Sequence, residues 1–246
     1  MKKATLILIS FLQAGLFFSQ NPDQTLLPAK RYTQAEVLDS AGGIDRYTRL
    51  MSAIGGDSTR TSSSGYILQG WHEDFYTSGN ILHRGYYVDG KLITFKNFFE
   101  NGQCERSVES TDPVHCVMNI FFESGVPRKQ INYYNGLPQK LYEYYENGQP
   151  RLVEENEKEM KYLTLKKSWY DNGHLQSNLE LVDLKNKKYT EKNYYLNGQL
   201  REEGTVILLS GTQIYVKDGT WHCYDSNGKN KRAERHNKGI KLNSRQ

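Results

Sequence analysis

The chain has 246 residues, 24% of them charged, with a formal net charge of +4 and a mean hydropathy of −0.74. A balance so near neutrality selects no class of partner, and no apolar run reaches the ~20 residues that a membrane-spanning helix needs. An aromatic content of 12%, spread along the chain with regular turn signals, excludes a disordered polymer of similar polarity.

In chain order, Lys2 and Lys3 precede an apolar run from Ala4 to Phe18, followed by polar Ser19-Gln20-Asn21. That tripartite order reads as a secretory signal peptide over residues 1–20 and predicts export to a periplasm, an outer surface or the medium. A retained N-terminal anchor is the alternative, because Phe17-Phe18-Ser19 meets the small-residue cleavage rule only in part. Residues 21–64 form a leader. Within it Thr33-Gln34-Ala35-Glu36 has the form of a helix capping box, Ile44 to Ile54 has helix-like apolar spacing, and Gly55 to Gly65 reads as a linker rich in Ser, Thr and Gly.

Residues 65–239 are repetitive. Phe75-Tyr76-Thr77-Ser78-Gly79, Phe98-Phe99-Glu100-Asn101-Gly102, Phe121-Phe122-Glu123-Ser124-Gly125, Tyr144-Tyr145-Glu146-Asn147-Gly148, Trp169-Tyr170-Asp171-Asn172-Gly173 and Tyr194-Tyr195-Leu196-Asn197-Gly198 share one template. A seventh, Cys223-Tyr224-Asp225-Ser226-Asn227-Gly228, reads as one residue longer. The glycines step by 23, 23, 23, 25, 25 and 30 residues, a period that marks a repeat architecture. Asn-Gly predicts a two-residue type I′ hairpin turn, since it supplies positive φ at both central positions. A second turn signal follows eleven residues after each of the first three repeat glycines that step by 23: Asp89-Gly90, Asp112-Pro113 and Asn135-Gly136. The implied fold is all-β: an elongated, twisted antiparallel meander of tandem hairpins, with a short, partly helical N-terminal leader.

Neighbouring residues on a strand face opposite sides, so each aromatic pair sets one ring on either face of a thin sheet. Burial then comes from the next unit, and no unit is stable alone. Pro127 and Pro150 remove ladder donors and mark bulges or edges. Lys158-Glu159 and Lys185-Asn186-Lys187-Lys188 predict longer far turns in the fourth and fifth units. Val206-Ile207-Leu208-Leu209 and Ile214-Tyr215-Val216 read as longer strands that close the array. Residues 240–246 form a basic tail, part of a stretch from Lys229 with seven basic residues against Glu234, expected to be solvated and frayed.

Tyr144-Tyr145-Glu146-Asn147-Gly148-Gln149 and Tyr194-Tyr195-Leu196-Asn197-Gly198-Gln199-Leu200 resemble the MORN-repeat variant of bacterial YwqK antitoxin-type proteins. Gly70-Trp71-His72-Glu73-Asp74-Phe75-Tyr76 and Gly219-Thr220-Trp221-His222-Cys223-Tyr224 resemble the Gly-x-Trp-x-x-Tyr element of the same repeats. The resemblance extends from about Gly65 to Gly239. It implies an elongated sheet of successive hairpins and a role in protein binding of an antitoxin or immunity-like kind.

Catalytic chemistry finds little support. The six histidines, His72, His83, His115, His174, His222 and His236, lie in different units without metal-ligand spacing, so no metal and no cofactor is expected. His115-Cys116 and His222-Cys223 are strand neighbours facing opposite sides. Glu100, Glu123, Glu146 and Asp171 recur beside the turn as solvated residues. The three cysteines are an odd number; Cys104 and Cys116 lie on adjacent arms, and the alignment of those arms decides whether they can pair. Aromatic rings remain as the candidate binding surface: Trp71, Tyr76, Phe99, Phe122, Tyr145, Trp169, Tyr170, Tyr195 and Trp221. The sequence therefore predicts a non-enzymatic exported scaffold that binds another protein, with envelope glycan or anionic lipid as the alternative ligand and no nucleic acid.

Overall fold

The computed structural model describes residues 31–39, 43–44 and 59–242. The expected signal peptide lies outside these residues, as does most of the expected helix from Ile44 to Ile54; Ile44 itself lies on a short strand.

One turn of helix, α1 (Gln34–Val37), does form where the capping box predicts it. The Thr33 N–H and hydroxyl both donate to Glu36 Oε2, at 2.7 and 3.0 Å. Around it lie β1 (Arg31–Tyr32) and a small antiparallel pair, β2 (Leu38–Asp39) with β3 (Gly43–Ile44). The end of the presumed linker is not free: the Arg60 N–H donates to the Gly90 carbonyl, and Thr61 bridges Ile67. A chain passing over the first hairpin satisfies its backbone groups there, which composition alone does not reveal.

The repeat region builds β4 (Gly70–Tyr76), β5 (Ile81–Val88), β6 (Lys91–Phe98), β7 (Cys104–Ser110), β8 (His115–Phe121), β9 (Pro127–Tyr134), β10 (Leu137–Tyr144) and β11 (Pro150–Asn156). It continues through β12 (Leu163–Trp169), β13 (Leu175–Asp183), β14 (Lys188–Tyr194), β15 (Leu200–Leu208), β16 (Tyr215–Tyr224), β17 (Asn230–Asn237) and β18 (Ile240–Leu242). All join one 16-stranded sheet in chain order, antiparallel throughout except that β1 pairs in parallel with the outer side of β4.

Two kinds of turn alternate along the two long edges. The far turns at Asp89-Gly90, Asn135-Gly136 and Lys238-Gly239 have positive φ at both residues, the type I′ pattern. The near turns, at the repeat glycines, differ from the sequence expectation. Gly79, Gly102, Gly125, Gly148, Gly173, Gly198 and Gly228 have positive φ, but the Asn or Ser before each does not. Each glycine N–H returns to the carbonyl three residues back, as from Gly102 to Phe99 at 2.9 Å. This is a type I turn completed by a left-handed glycine and a bulge. The ladder register accordingly shifts at every near turn, for example between Glu143 and Tyr144. Pro127 and Pro150 sit at such shifts, opposite Phe121 and Tyr144, where no ladder donor is needed.

The core is divided. Tyr32, Val37, Tyr76 and Leu82 form one buried cluster; Leu68, Tyr87, Leu92, Phe95, Val108, Cys116 and Met118 a second; Tyr189, Val206 and Trp221 a third. Between the second and third, no residue from Asn119 to Lys188 is buried. The sheet there is a single layer with both faces half-exposed.

Near the third cluster the sheet coils. The Tyr189 hydroxyl donates to the Leu163 carbonyl at 2.9 Å, and the Leu163 N–H donates to the Tyr215 hydroxyl at 2.8 Å. In a flat sheet β12 and β16 would lie about 19 Å apart. Only a strongly coiled sheet brings the start of β16 within a tyrosine's reach of β12.

The segments expected to close the array, Val206–Leu209 and Ile214–Val216, lie mainly in β15 and β16, and two further strands follow them. The basic stretch from Lys229 is correspondingly an ordered hairpin through Leu242. Glu234 holds it, receiving Arg232 at 2.7 Å and Lys241 at 2.9 Å.

Candidate interaction surface

The near-turn edge explains why the template repeats. The second aromatic of each pair begins the turn, and its ring points along the array toward the next unit. Hydroxyls of Tyr76, Tyr145, Tyr170 and Tyr195 donate to the carbonyls of Phe98, Trp169, Tyr194 and Tyr224, at 2.7 to 2.9 Å. Each acceptor belongs to the first aromatic position of the following unit. Phe99 and Phe122 hold the same position without a hydroxyl, and the Arg128 guanidinium lies 5.7 Å from the Phe122 ring centre.

The turn asparagines form a parallel ladder. Asn101, Asn147, Asn172 and Asn197 donate from Nδ2 to the carbonyls of Glu123, Asp171, Leu196 and Ser226, at 3.0 to 3.2 Å. Their Oδ1 atoms accept the N–H two residues on, from Gln103, Gln149, His174 and Gln199. This double use is the physical reason for the turn type. With glycine alone in the left-handed region, the carboxamide can serve its own turn and the next.

These bonds also re-align the seventh unit. Tyr195 and Asn197 reach the carbonyls of Tyr224 and Ser226, and the Gly228 N–H returns to Asp225. Tyr224 therefore holds the first aromatic position and Asp225 the second. The seventh turn is no longer than the others; it carries an acid in place of the ladder aromatic.

The nine rings put forward as a binding surface thus have different places. Tyr76 and Phe99 are buried, and Phe122, Tyr145, Trp169, Tyr170 and Tyr195 are half-buried between units. Trp221 is 0% exposed; its Nε1–H donates to the Thr205 carbonyl at 2.9 Å and its ring lies on Gly204, with Lys217 Nζ 3.9 Å from its centre. Trp71 alone of the nine is strongly exposed, at 61%. It packs edge-on against Tyr86, its cross-strand partner, at 5.4 Å. Exposed Val88 lies two residues along from Tyr86 on the same face, and exposed Tyr66 and Ile67 precede β4.

Behind this corner runs a buried polar chain that sequence reading missed. Arg60 pairs with Asp74 at 2.5 Å and donates to the Tyr87 hydroxyl at 2.8 Å. The Tyr87 hydroxyl meets His83 Nε2 at 3.0 Å, and His83 Nδ1 lies 2.7 Å from Asn97 Oδ1. A carboxamide oxygen only accepts, so Nδ1 carries the proton and Nε2 receives the tyrosine hydroxyl. Burial pushes the His83 pKa down to about 4, and the ring is neutral at ordinary pH. With His83 and Asn97 both 0% exposed, the chain anchors Arg60 and the segment that carries it. Gly85, under the His83 ring and Leu92, was the one available sign of close packing there.

Register settles the cysteines. Cys116 stands opposite Ser110, while Cys104 lies six residues further along β7. That is roughly 20 Å along a strand, and no disulfide spans it. His115 is exposed and Cys116 buried, on opposite faces, so they form no catalytic pair. Among the described residues no three His, Cys, Asp or Glu side chains gather as a metal site.

Fold and ladder together define a β-hairpin repeat protein whose repeats all join one long sheet. The family model for the MORN repeat variant matches residues 190–207, which cover most of β14, the sixth near turn and most of β15. The other near turns carry the same turn geometry. No curated protein matches the chain.

Proposed function

We propose that this chain is an exported, non-catalytic repeat scaffold of the YwqK-like kind, which binds another protein through its extended sheet. The observation that carries this reading is the single-layer stretch from Asn119 to Asn156, ahead of the coiled end of the sheet, where hydrogen bonds and the ladder supply order and no residue of either face is buried. Cross-strand pairs cover those faces, Lys129–Glu143 and Lys166–Glu154 on one and Lys140–Glu155 on the other. Half-exposed pairs of this kind contribute little stability, so they leave a broad polar rim. Trp71 with Tyr86 supplies the sort of exposed aromatic anchor on which protein interfaces concentrate their energy.

The test is affinity capture from a native envelope extract with the exported protein as bait, followed by mass spectrometry. One stoichiometric protein is expected, with loss of capture on Trp71→Ala and retention on Tyr170→Phe. Recovery of glycan or anionic lipid alone, or of nothing, contradicts the proposal.

A further inference from the structure

The chain contains six Asn-Gly pairs, at Asn101, Asn135, Asn147, Asn172, Asn197 and Asn227. Asn-Gly is the dipeptide most open to spontaneous deamidation. The glycine nitrogen attacks the asparagine Cγ, a C–N bond forms, and the carboxamide nitrogen leaves as ammonia. Water then opens the succinimide at either carbonyl, giving aspartate or isoaspartate. The reaction needs a carboxamide free to turn and a glycine amide free to attack.

The two sets of turns differ in both requirements. At Asn101, Asn147, Asn172 and Asn197 the carboxamide is held at both ends, by the next unit's carbonyl and by an N–H of its own turn. The following glycine amide is also engaged, donating to Phe99, Tyr145, Tyr170 or Tyr195 at 2.9 to 3.0 Å. At Asn227 the carboxamide has no partner among the described residues, but the Gly228 amide still donates to Asp225 at 3.0 Å. Asn135 differs in both respects. It occupies an exposed type I′ far turn, with φ of 49° followed by 77° at Gly136. Among the described residues neither its carboxamide nor the Gly136 amide has a hydrogen-bond partner.

We infer that Asn135 is the protein's deamidation site, and that the ladder which joins the repeats shields Asn101, Asn147, Asn172 and Asn197 by occupying their reacting groups. Conversion places a new carboxylate on the residue next to Tyr134, which lines a cleft with His115, Lys140 and Lys158, and isoaspartate adds a methylene to the backbone of the β9–β10 turn. Conversion within the ladder would instead remove an Nδ2 donor and turn a carboxylate toward a carbonyl.

The full-length protein is incubated folded, and in parallel in denaturant, in mildly alkaline buffer at body temperature, then peptide-mapped at intervals by mass spectrometry. In denaturant the shared glycine neighbour gives all six sites similar rates. Folded, Asn135 is expected to keep that rate to within about twofold, Asn227 to fall behind, and the four ladder asparagines to be slower by about tenfold or more, as the loss of two hydrogen bonds requires. Asn135→Gln removes the fast phase and confirms its assignment. Protection of Asn135 equal to that of the ladder sites overturns the inference, and so does any ladder asparagine converting as fast as Asn135.

Discussion

Replacing Gly204 with alanine puts a methyl group into the floor beneath Trp221. A Cβ built there lies 2.5 Å from the indole Cδ2 and 2.6 Å from Cγ and Cε2, far inside contact distance. The ring cannot simply lift, because it is fully buried, donates from Nε1 to Thr205 at 2.9 Å and carries Lys217 Nζ 3.9 Å above its centre. Overpacking of this kind costs about 1–3 kcal/mol, and displacing the indole from Thr205 adds roughly 1 kcal/mol. A destabilisation of about 2–4 kcal/mol follows for the C-terminal cluster. Urea unfolding followed by hydrogen exchange of amides in β14 to β16 measures it, since a repeat array does not have to unfold as one unit. Coupling is the sharper readout. In a Trp221→Leu background the methyl group meets a smaller side chain, so the two substitutions together cost less than their sum. If Gly204→Ala alone stays within about 0.5 kcal/mol of the parent, the buried placement of Trp221 is wrong and the ring returns to the list of surface anchors.

Two further outcomes test other parts of the structure. Tyr170→Phe deletes one hydroxyl bond to the Tyr194 carbonyl, and Asn172→Ala deletes two carboxamide bonds, the one given to the Leu196 carbonyl and the one received from the His174 N–H. Tyr170→Phe is expected to cost about 1 kcal/mol in urea unfolding and Asn172→Ala about 1–2 kcal/mol, whereas Asp171→Ala, an exposed turn residue between them, costs about 0.5 kcal/mol or less. His83 makes stability depend on pH. Its folded pKa of about 4 lies below the ordinary 6.5, so the unfolded chain binds the proton first. Stability attributable to this group is complete above pH 6.5 and is lost as pH falls toward 4, by about 3 kcal/mol in all. His83→Gln flattens this part of the profile; an unchanged profile shows that the ring is not buried neutral.

Much of the architecture was legible because it is local. Seven glycines at a fixed offset from aromatics, with Asp89-Gly90 and Asn135-Gly136 between them, specify hairpins, strand lengths and order without any knowledge of packing. The ladder was not legible, because Tyr170 and Asn172 act on carbonyls some 24 residues away, and only stacked units reveal that reach. Asn-Gly serves type I′ turns at Asn135 and type I turns with a glycine bulge at Asn147, so the dipeptide alone does not separate them. The same blindness mis-set the seventh unit. Cys223-Tyr224 imitates an aromatic pair in sequence, but hydrogen bonds assign the pair's places to Tyr224 and Asp225. For the surface, composition treated three tryptophans alike, although Gly204 buries one and solvent surrounds another. Buried polar chains such as Arg60–Tyr87–His83–Asn97 draw on distant, unremarkable residues and leave no local pattern.

The central claim is that the single-layer sheet is itself the binding element, and hydrogen exchange of the protein alone and in its captured complex tests it most directly. Slowed exchange is predicted in β4 and β5 around Trp71 and Tyr86 and across β9 to β11, where no residue is buried. Unchanged exchange in all of these strands, with protection confined to residues ahead of the repeat, would contradict it.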